Sequence, residues 1–338
     1  MKQKLFGKKF PLLRTVFALA VLFAPLAHAD YRTHALAPAF VDEMVQKHGF
    51  VRADVEALLA DAARQQSILT AIARPKEQTA PWKEYRKGFI NNDRVQGGVQ
   101  FWREHAVDLA RVEKELGVDP AVVVAIIGVE TRFGRNMGGF RVLDALTTLA
   151  FDYPPRAKFF REQLVEFLLL CREKGLVAEK QKGSYAGAMG YGQFMPGSYR
   201  NYAIDFNGDG HIDILTNPTD AIGSVANYLK RHGWISAAPI AVRAAAREPL
   251  AAGVVIGQSE PRTRLVDYRL QGVLPVPEKT QPAFSDNTAA ALMLFDGEAG
   301  NEYWLGFNNF YVITRYNRSQ MYALAVMQLS EAIAAQPR

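Results

Sequence analysis

The chain has very little cysteine, since Cys171 is the single one among 338 residues. One cysteine excludes an intramolecular disulfide. Cys171 lies in a run with helical spacing, directly after Leu168, Leu169 and Leu170. We therefore expect a small buried hydrophobe there rather than a reactive nucleophile.

Long hydrophobic runs are also missing, apart from one near the N-terminus. Residues 1–14 carry five basic residues and no acid, residues 15–26 are mostly apolar, and Ala-His-Ala precedes Asp30. This order is typical of a signal peptide, here residues 1–29 with cleavage after Ala29, and the apolar stretch is too short for a membrane anchor. The cleavage site has no cysteine, so we expect no lipid anchor. The sequence thus predicts an exported, periplasmic protein.

An excess of charge is missing once residues 1–29 are removed. The full chain has 40 basic and 34 acidic residues, and five of the basic ones leave with the predicted signal peptide, so 35 remain against 34. The mature chain is therefore nearly neutral. It has no basic stripe interleaved with aromatic residues, and we expect no nucleic-acid partner.

Helical periodicity dominates the first half of the mature chain. Apolar residues recur at three- and four-residue spacing over residues 38–48, 52–65, 93–116, 119–133 and 154–174. Gly49, Gly117, Gly134 and Gly175 stand where helix C-caps are expected. Residues 73–81, with two prolines and several charges, are typical of a surface connection.

After a predicted helix at residues 219–231, the pattern changes to short β-branched and aromatic runs between Gly, Pro and Asp. The clearest predicted strands are residues 240–242, 265–270, 290–295 and 303–307, and a helix returns at 319–335. These patterns predict a mainly helical α+β protein. Its predicted parts are a helical domain (30–118), a catalytic core (119–234), a small inserted β domain (235–310) and a C-terminal segment that returns to the core (311–338).

One carboxylate stands at the end of an almost wholly apolar helix. Asp119 is a typical N-cap, and Pro120 suits the first turn. Glu130 shares a helical stripe with Ile126 and Ile127, so we expect it on the face that packs inward. Desolvation there would favour the protonated form of a general acid. The alternative is a glutamate that points back to water or pairs with a neighbouring arginine.

Two loops have distinctive compositions. Residues 183–197 hold five glycines and two tyrosines, which suits a loop whose backbone approaches a ligand closely. Residues 205–213 (DFNGDGHID) match the first nine positions of an EF-hand calcium loop. Position twelve is Thr216 instead of glutamate, so a closing acid must come from elsewhere, and Asp220 is the nearest downstream candidate. An Asx/Gly turn without a metal is the alternative.

Five motifs follow one another along the chain: residues 126–134 (IIGVETRFG), 183–196 (GSYAGAMGYGQFMP), 205–213, 220–228 (DAIGSVANY) and 314–319 (TRYNRS). In this order they resemble the B-type lytic murein transglycosylases, over nearly the whole mature chain. The resemblance implies a lysozyme-like core with an additional helical domain and a small β domain. It also implies a lyase that cleaves the β-1,4 bond between N-acetylmuramic acid and N-acetylglucosamine in peptidoglycan and leaves a 1,6-anhydromuramic product.

Peptidoglycan glycan strands are therefore the implied partner, and proteins of cell-wall synthesis or turnover are further candidates. Glycosidases ordinarily need two carboxylates, but no second acid stands beside Glu130 or within residues 183–197. We expect Glu130 to protonate the leaving oxygen, while the acetamido oxygen of the substrate stabilises the cationic sugar. Glu130 would then take the proton from the C6 hydroxyl and so close the anhydro ring.

The resemblance assigns roles residue by residue. Glu130 matches the single catalytic acid and base. The residues implied to line the glycan groove are Ser184, Gln193, Tyr228, Tyr316, Asn317, Tyr85 and Arg156. The implied ligands of a structural calcium ion are Asp205, Asn207, Asp209, the carbonyl of His211, and Asp220; no organic cofactor is implied. The chain departs from the family by one extra residue before Asp220, and by a single arginine, Arg156, where the family has a pair.

Three other functions remain as alternatives. A muramidase on the same scaffold would use water as the nucleophile and a second carboxylate, for which Asp144 and Asp152 are nearest in sequence. A non-catalytic peptidoglycan-binding protein would use the same groove as an anchor. A calcium sensor has the weakest support, since the chain has one loop instead of a pair.

Overall fold

The computed structural model describes residues 30–73, 80–276 and 284–337. The predicted signal peptide at residues 1–29 and most of the predicted connection at residues 73–81 lie outside the described residues. None of the helices within the described ranges combines the length and the apolar character that crossing a bilayer requires.

Helices make up most of the described chain. The α-helices in these ranges are α1 (Ala37–His48), α2 (Arg52–Asp61), α3 (Gln66–Ile72), α4 (Trp82–Lys87), α5 (Asn92–Glu104), α6 (Ala106–Arg111), α7 (Pro120–Thr131), α8 (Val142–Asp152), α9 (Ala157–Lys174), α10 (Pro196–Tyr202), α11 (Pro218–Arg231), α12 (Leu265–Leu270), α13 (Asn308–Tyr316) and α14 (Gln320–Ala334). Short 3₁₀ turns lie at Tyr31–Thr33, Pro154–Arg156 and Ala178–Lys180, and Val112–Leu116 is a π-helix.

One predicted helix is divided in the structure, and another is shorter than predicted. The helix predicted at residues 93–116 breaks at His105, whose backbone leaves the helical region and whose ring packs against Phe101 with centroids 4.5 Å apart. The helix predicted at residues 52–65 ends at Asp61 because the following backbone binds α8 instead. The N–H of Ala63 donates to Asp144 at 3.0 Å. Such long-range partners for backbone groups are invisible to local periodicity.

Within the described ranges, two antiparallel sheets are formed by seven strands. They are β1 (Phe140–Arg141), β2 (Lys182–Gly183), β3 (Ala241–Ala246), β4 (Thr263–Arg264), β5 (Val273–Pro275), β6 (Ala289–Gly297) and β7 (Gly300–Gly306). The first two pair with each other, and the other five form one sheet in the order β4-β6-β7-β3-β5. The predicted mainly helical α+β fold is confirmed.

One predicted strand is wrong. Residues 265–270 form α12, in which Leu265 and Tyr268 are buried one helical turn apart. An ion pair between Arg264 and Asp267 at 2.9 Å spans the start of the helix. A short run of apolar residues fits both periods, and here the tertiary contacts select the helix.

The main core surrounds α7, which packs against α5, α11 and α14. Cys171 is buried in this core as predicted, and burial raises the pKa of its thiol to about 12. A second, smaller apolar cluster lies within the predicted β domain, on one side of the five-stranded sheet. Phe295 of β6 belongs to the main core instead and packs against Trp82, with ring centroids 5.5 Å apart. The sheet is thereby attached to α4 at the edge of the groove described below.

Candidate active site

Glu130 lies in the last turn of α7. The carboxylate of Asp119 accepts from the N–H of Ala121 at 2.8 Å, and Pro120 opens the first turn, as the sequence predicts. Every other residue of the helix is buried, whereas Glu130 is partly exposed. The apolar helix therefore brings one carboxylate from the core to the protein surface.

A tyrosine from the C-terminal segment binds this carboxylate. The hydroxyl of Tyr322, in α14, donates to Oε1 of Glu130 at 2.6 Å. Burial first, and then the charge of Glu130, raise the pKa of Tyr322 well above its usual range, so the phenol remains a neutral donor. No pattern in the sequence marks Tyr322 as a site residue, because its spacing within α14 does not distinguish it from an ordinary core tyrosine.

The turn after Glu130 has an unusual backbone. Arg132, Phe133 and Gly134 are three consecutive residues in the left-handed region, with φ of 52°, 61° and 83°. Gly134 was predicted to cap the helix, but Arg132 occupies that position. The hydroxyl of Thr131 donates to the carbonyl of Tyr191 at 2.9 Å and accepts from the N–H of Gly134 at 3.0 Å. These bonds connect the end of α7 to the Gly-rich loop, which is formed by residues 183–197.

The Gly-rich loop folds back on itself beside this turn. Met189 and Phe194 pair through two backbone hydrogen bonds, at 2.9 and 3.0 Å. The hydroxyl oxygen of Ser184 accepts from the N–H of Ala188 at 3.1 Å, which leaves the Ser184 proton to be donated elsewhere. A side chain at Gly190 would collide with the Ile214 carbonyl, 2.2 Å from an added Cβ. The loop thus needs glycine for close backbone contact.

Gln193 occupies a left-handed position in the same loop, with φ of 49°. Its amide nitrogen donates to the carbonyls of Met137 at 3.1 Å and Gly190 at 3.0 Å. The side chain therefore ties the loop to the segment after α7. Its amide oxygen is the atom with which it can accept a hydrogen bond from a sugar hydroxyl.

Tyr228 and Tyr316 are brought together, with ring centroids 4.8 Å apart at 64°. Both hydroxyls donate to backbone carbonyls, Tyr228 to Arg315 at 2.6 Å and Tyr316 to Gly192 at 2.5 Å. Burial raises the pKa of Tyr228 to about 12. These two tyrosines therefore have a packing role in the structure. The ring of Tyr316 also stacks on that of Tyr322, with ring centroids 6.5 Å apart.

A groove of about 920 Å³ lies nearby. Its lining includes two of the predicted substrate residues, Arg156 and Asn317, and continues to Met321, the neighbour of Tyr322. Arg156 is exposed, and its guanidinium lies 4.4 Å from the ring centroid of Phe159. Tyr85 is buried, and its ring centroid lies 6.3 Å from that of Trp82, which lines the groove. The other predicted substrate residues, and Glu130 itself, are not among the residues that line this groove.

The predicted metal loop wraps around its first aspartate. Asp205 accepts from the N–H groups of Gly208 at 2.6 Å and Gly210 at 2.8 Å. The amide of Asn207 donates to Asp209 at 2.8 Å, so these two side chains are adjacent. Asp205, Asn207, Asp209 and the carbonyl of His211 supply hard oxygen atoms at EF-hand spacing, which is the donor chemistry that calcium prefers.

Asp220 lies at the base of this loop and is fully buried. Its carboxylate accepts from the N–H groups of Phe206 at 2.8 Å, Asn207 at 3.2 Å and Asp213 at 2.8 Å. The structure thus brings Asp220 to the loop, where it already shapes the backbone. Across the described ranges, no three His, Cys, Asp or Glu side chains converge on one metal position.

Comparisons with known proteins identify the family to which this chain is similar. The profile of the Transglycosylase SLT domain matches residues 32–331. "Membrane-bound lytic murein transglycosylase B" of Escherichia coli (strain K12) is 44% identical over 314 residues, which cover 90% of this chain and 84% of that protein.

Two solved structures also match closely. Catenated lytic transglycosylase SltB1 from Pseudomonas aeruginosa has a TM-score of 0.84 at 51% identity, covering 90% of this chain and 99% of that one. Escherichia coli lytic transglycosylase Slt35 in complex with calcium has a TM-score of 0.81 at 45% identity, covering 90% and 94%. These matches confirm the resemblance inferred from the five motifs and the fold that it implied. The chain belongs to the SLT family of lytic transglycosylases.

Proposed function

We propose that this protein cleaves the β-1,4 bond between N-acetylmuramic acid and N-acetylglucosamine in peptidoglycan, with Glu130 as its one acid and base. The product is a 1,6-anhydromuramic end. The observation that carries this proposal is a single partly exposed carboxylate, held by a neutral tyrosine hydroxyl at the end of an apolar helix.

The two acids that a hydrolase could recruit are engaged elsewhere. Asp144 is 4% exposed and accepts from the N–H of Ala63. Asp152 accepts from the Tyr31 hydroxyl at 2.7 Å and pairs with Arg64 at 3.1 Å. Both carboxylates are thus bound to residues of the N-terminal helical region, Tyr31, Ala63 and Arg64. Without a second carboxylate to activate water, the substrate must supply the nucleophile.

The contact with Tyr322 orients the acid. Because the tyrosine hydroxyl donates to Oε1 of Glu130, the proton of the acid form resides on Oε2. That proton passes to the leaving oxygen as the glycosidic bond breaks, and the acetamido oxygen of the substrate stabilises the cationic sugar. The resulting carboxylate then removes the proton of the C6 hydroxyl, whose oxygen closes the anhydro ring. The proton gained restores the acid form, so no external reactant is needed.

Ser184, Gln193 and Asn317 support this chemistry by positioning the glycan. The hydroxyl proton of Ser184 and the amide of Asn317 are suited to bind acetamido or hydroxyl groups of a sugar. Arg156 is suited to bind anionic substituents of the glycan because it lies exposed at the groove. Tyr85, Tyr228 and Tyr316 support the wall behind these residues.

We further propose that a calcium ion is held by Asp205, Asn207, Asp209 and the His211 carbonyl. Asp220 fixes the loop backbone through its buried hydrogen bonds. When bound, the ion would neutralise the adjacent carboxylates and fix the loop before α11. We assign the ion a structural role, because the carboxylates of this loop already hold its backbone through hydrogen bonds. Residues 1–29 have the pattern of an export signal, which places the proposed activity in the periplasm.

The products formed from purified sacculi test the proposal. The wild-type protein should release muropeptides whose ends are lighter by one water than reducing ends, as measured by mass spectrometry. Glu130→Gln should lose cleavage but keep sacculus binding and thermal stability, because the change is nearly isosteric. Glu113→Gln, at an exposed position on the π-helix, is the matched control and should remain active. Reducing ends, or more than a few per cent of the wild-type rate in Glu130→Gln, would contradict the mechanism.

A further inference from the structure

A buried arginine binds the end of the catalytic helix. Arg94, in α5, is 7% exposed. Its Nη1 donates to the carbonyl of Gly128, and also to that of Val129 at 3.3 Å. These are the two residues before Glu130. The Gly128 carbonyl also accepts from the N–H of Arg132 at 3.1 Å. The last carbonyls of a helix carry partial negative charge, so a cation there is both a cap and a favourable charge.

The charges near Arg94 connect it to Glu130. Burial lowers the pKa of Arg94, and the cation of Arg132 lowers it further. The negative charges of Asp93 and Glu130 act in the opposite direction and stabilise the guanidinium. The ring of Phe89 lies 5.2 Å from the guanidinium carbon and contributes a cation–π contact. Arg94 and the carboxylate of Glu130 therefore stabilise each other.

Other groups near Glu130 are less suited to stabilise its carboxylate. The titratable and charged groups that interact at this corner come from α4, α5, the turn after α7, α11 and the C-terminal segment: Tyr85, Asp93, Arg94, Arg132, Tyr228, Tyr316 and Tyr322. Burial and the nearby carboxylate keep the hydroxyls of Tyr316 and Tyr322 neutral. Arg132 is exposed, so water and salt screen its charge. Arg94 is the buried cation among them, where screening is weakest.

We propose that Arg94 is a positioning residue for Glu130, which fixes the last turn of α7 and stabilises the carboxylate formed after proton donation. This inference rests on the proposed function, because it requires that Glu130 be the acid and base. Arg94 is buried and binds backbone carbonyls of α7, so it acts through this helix instead of touching the glycan.

Two variants separate charge from geometry. Arg94→Gln keeps an amide donor and removes the charge, whereas Arg94→Lys keeps the charge and replaces the guanidinium fork by one ammonium group. Arg103→Gln, at an exposed position of the same helix, is the matched control. The rates of product release from soluble glycan strands are measured against pH, together with kcat and KM and the melting temperature.

The expected shift follows from the sign of the charge. Without the cation, the carboxylate of Glu130 is less stable, so the acid retains its proton to higher pH. The alkaline limb of kcat/KM should therefore move upward by about half a pH unit or more in Arg94→Gln, and stay in place in Arg94→Lys and Arg103→Gln. Both Arg94 variants should lower kcat by roughly ten- to a hundredfold with KM changed less than about twofold, since a displaced catalytic group loses rate without losing binding.

A purely structural role predicts a different result. Lower melting temperatures of the Arg94 variants with an unchanged pH limb and an unchanged kcat per folded enzyme would overturn the inference. If Arg94→Gln does not fold, Arg94→Lys decides through kcat alone, and wild-type turnover in that variant would also overturn it. In both cases an active wild type with an inactive Glu130→Gln keeps the proposed function intact. Residual activity in Glu130→Gln would instead refute the proposed function.

Discussion

Replacing Gln193 separates the two roles that its position allows. The resemblance implies contact with the glycan, whereas the structure shows two hydrogen bonds that tie the Gly-rich loop to Met137 and Gly190. Its left-handed backbone, with φ of 49°, is a second constraint. Gln193→Ala removes the hydrogen bonds and keeps the backbone cost, while Gln193→Gly removes both.

The magnitudes follow from these two constraints. Each internal hydrogen bond contributes about 0.5–1.5 kcal/mol net, and water can replace part of that at a half-buried position, so Gln193→Ala should lower the free energy of unfolding by about 1–2 kcal/mol. A left-handed residue with a Cβ costs about 1 kcal/mol or more relative to glycine. Gln193→Gly should therefore be about 1 kcal/mol more stable than Gln193→Ala, despite losing the same side chain.

Urea unfolding and initial rates on sacculi distinguish the outcomes. We expect Gln193→Ala to lose stability and activity together, and Gln193→Gly to recover stability but not activity. Wild-type stability in Gln193→Ala would refute the structural role. A rate lowered by the equivalent of about 1–3 kcal/mol with intact stability would then assign the side chain to the glycan. Unchanged stability and unchanged kinetics would remove Gln193 from the site.

Two further predictions concern metal binding and helix packing. Calcium at a hundredfold excess over Kd should stabilise the folded protein by about 2.7 kcal/mol, and EDTA should lower the melting temperature. Asp205→Ala combined with Asp209→Ala should abolish this effect of EDTA. Equal melting curves with and without calcium would contradict the site. Gly128→Ala places a Cβ 2.7 Å from the Phe133 ring, so overpacking of about 1–3 kcal/mol should exceed the helix-propensity gain of about 1 kcal/mol. Gly139→Ala, with open space around it, is the control in urea unfolding, and a stabilised Gly128→Ala would show that the ring moves aside.

Local signals in the sequence were sufficient to predict α7. Asp119 and Pro120 mark its start, and its branched aliphatic residues require burial, so one carboxylate at its end is conspicuous. The EF-hand-like loop is likewise a contiguous pattern. Its loop glycines and oxygen side chains have the spacing of a known turn, although the buried hydrogen bonds of Asp220 are a property of the folded chain.

The remaining features depend on contacts between distant segments. Arg94 reaches Gly128 across 34 positions, and Tyr322 reaches Glu130 across 192, so no window of local sequence contains either pair. Asp144 appeared as a candidate second carboxylate because only its distance along the chain was known. Its acceptance of the Ala63 N–H shows that it supports the N-terminal segment instead. Residues 265–270 were too short to distinguish helix from strand before their neighbours were known.

The ring of Phe133 has a consequence for how the protein can move. An added Cβ would lie 2.8 Å from this ring at Gly97 and 2.7 Å from it at Gly128, so the ring is wedged between α5 and α7 where neither has a side chain. If α5 and α7 moved along each other, the Phe133 ring would collide with their backbone atoms. We therefore expect a change in the width of the groove to occur in the walls that carry Trp82, Leu294 and Gln320. Glu130, at the end of α7, should keep its position relative to α5 during such a change.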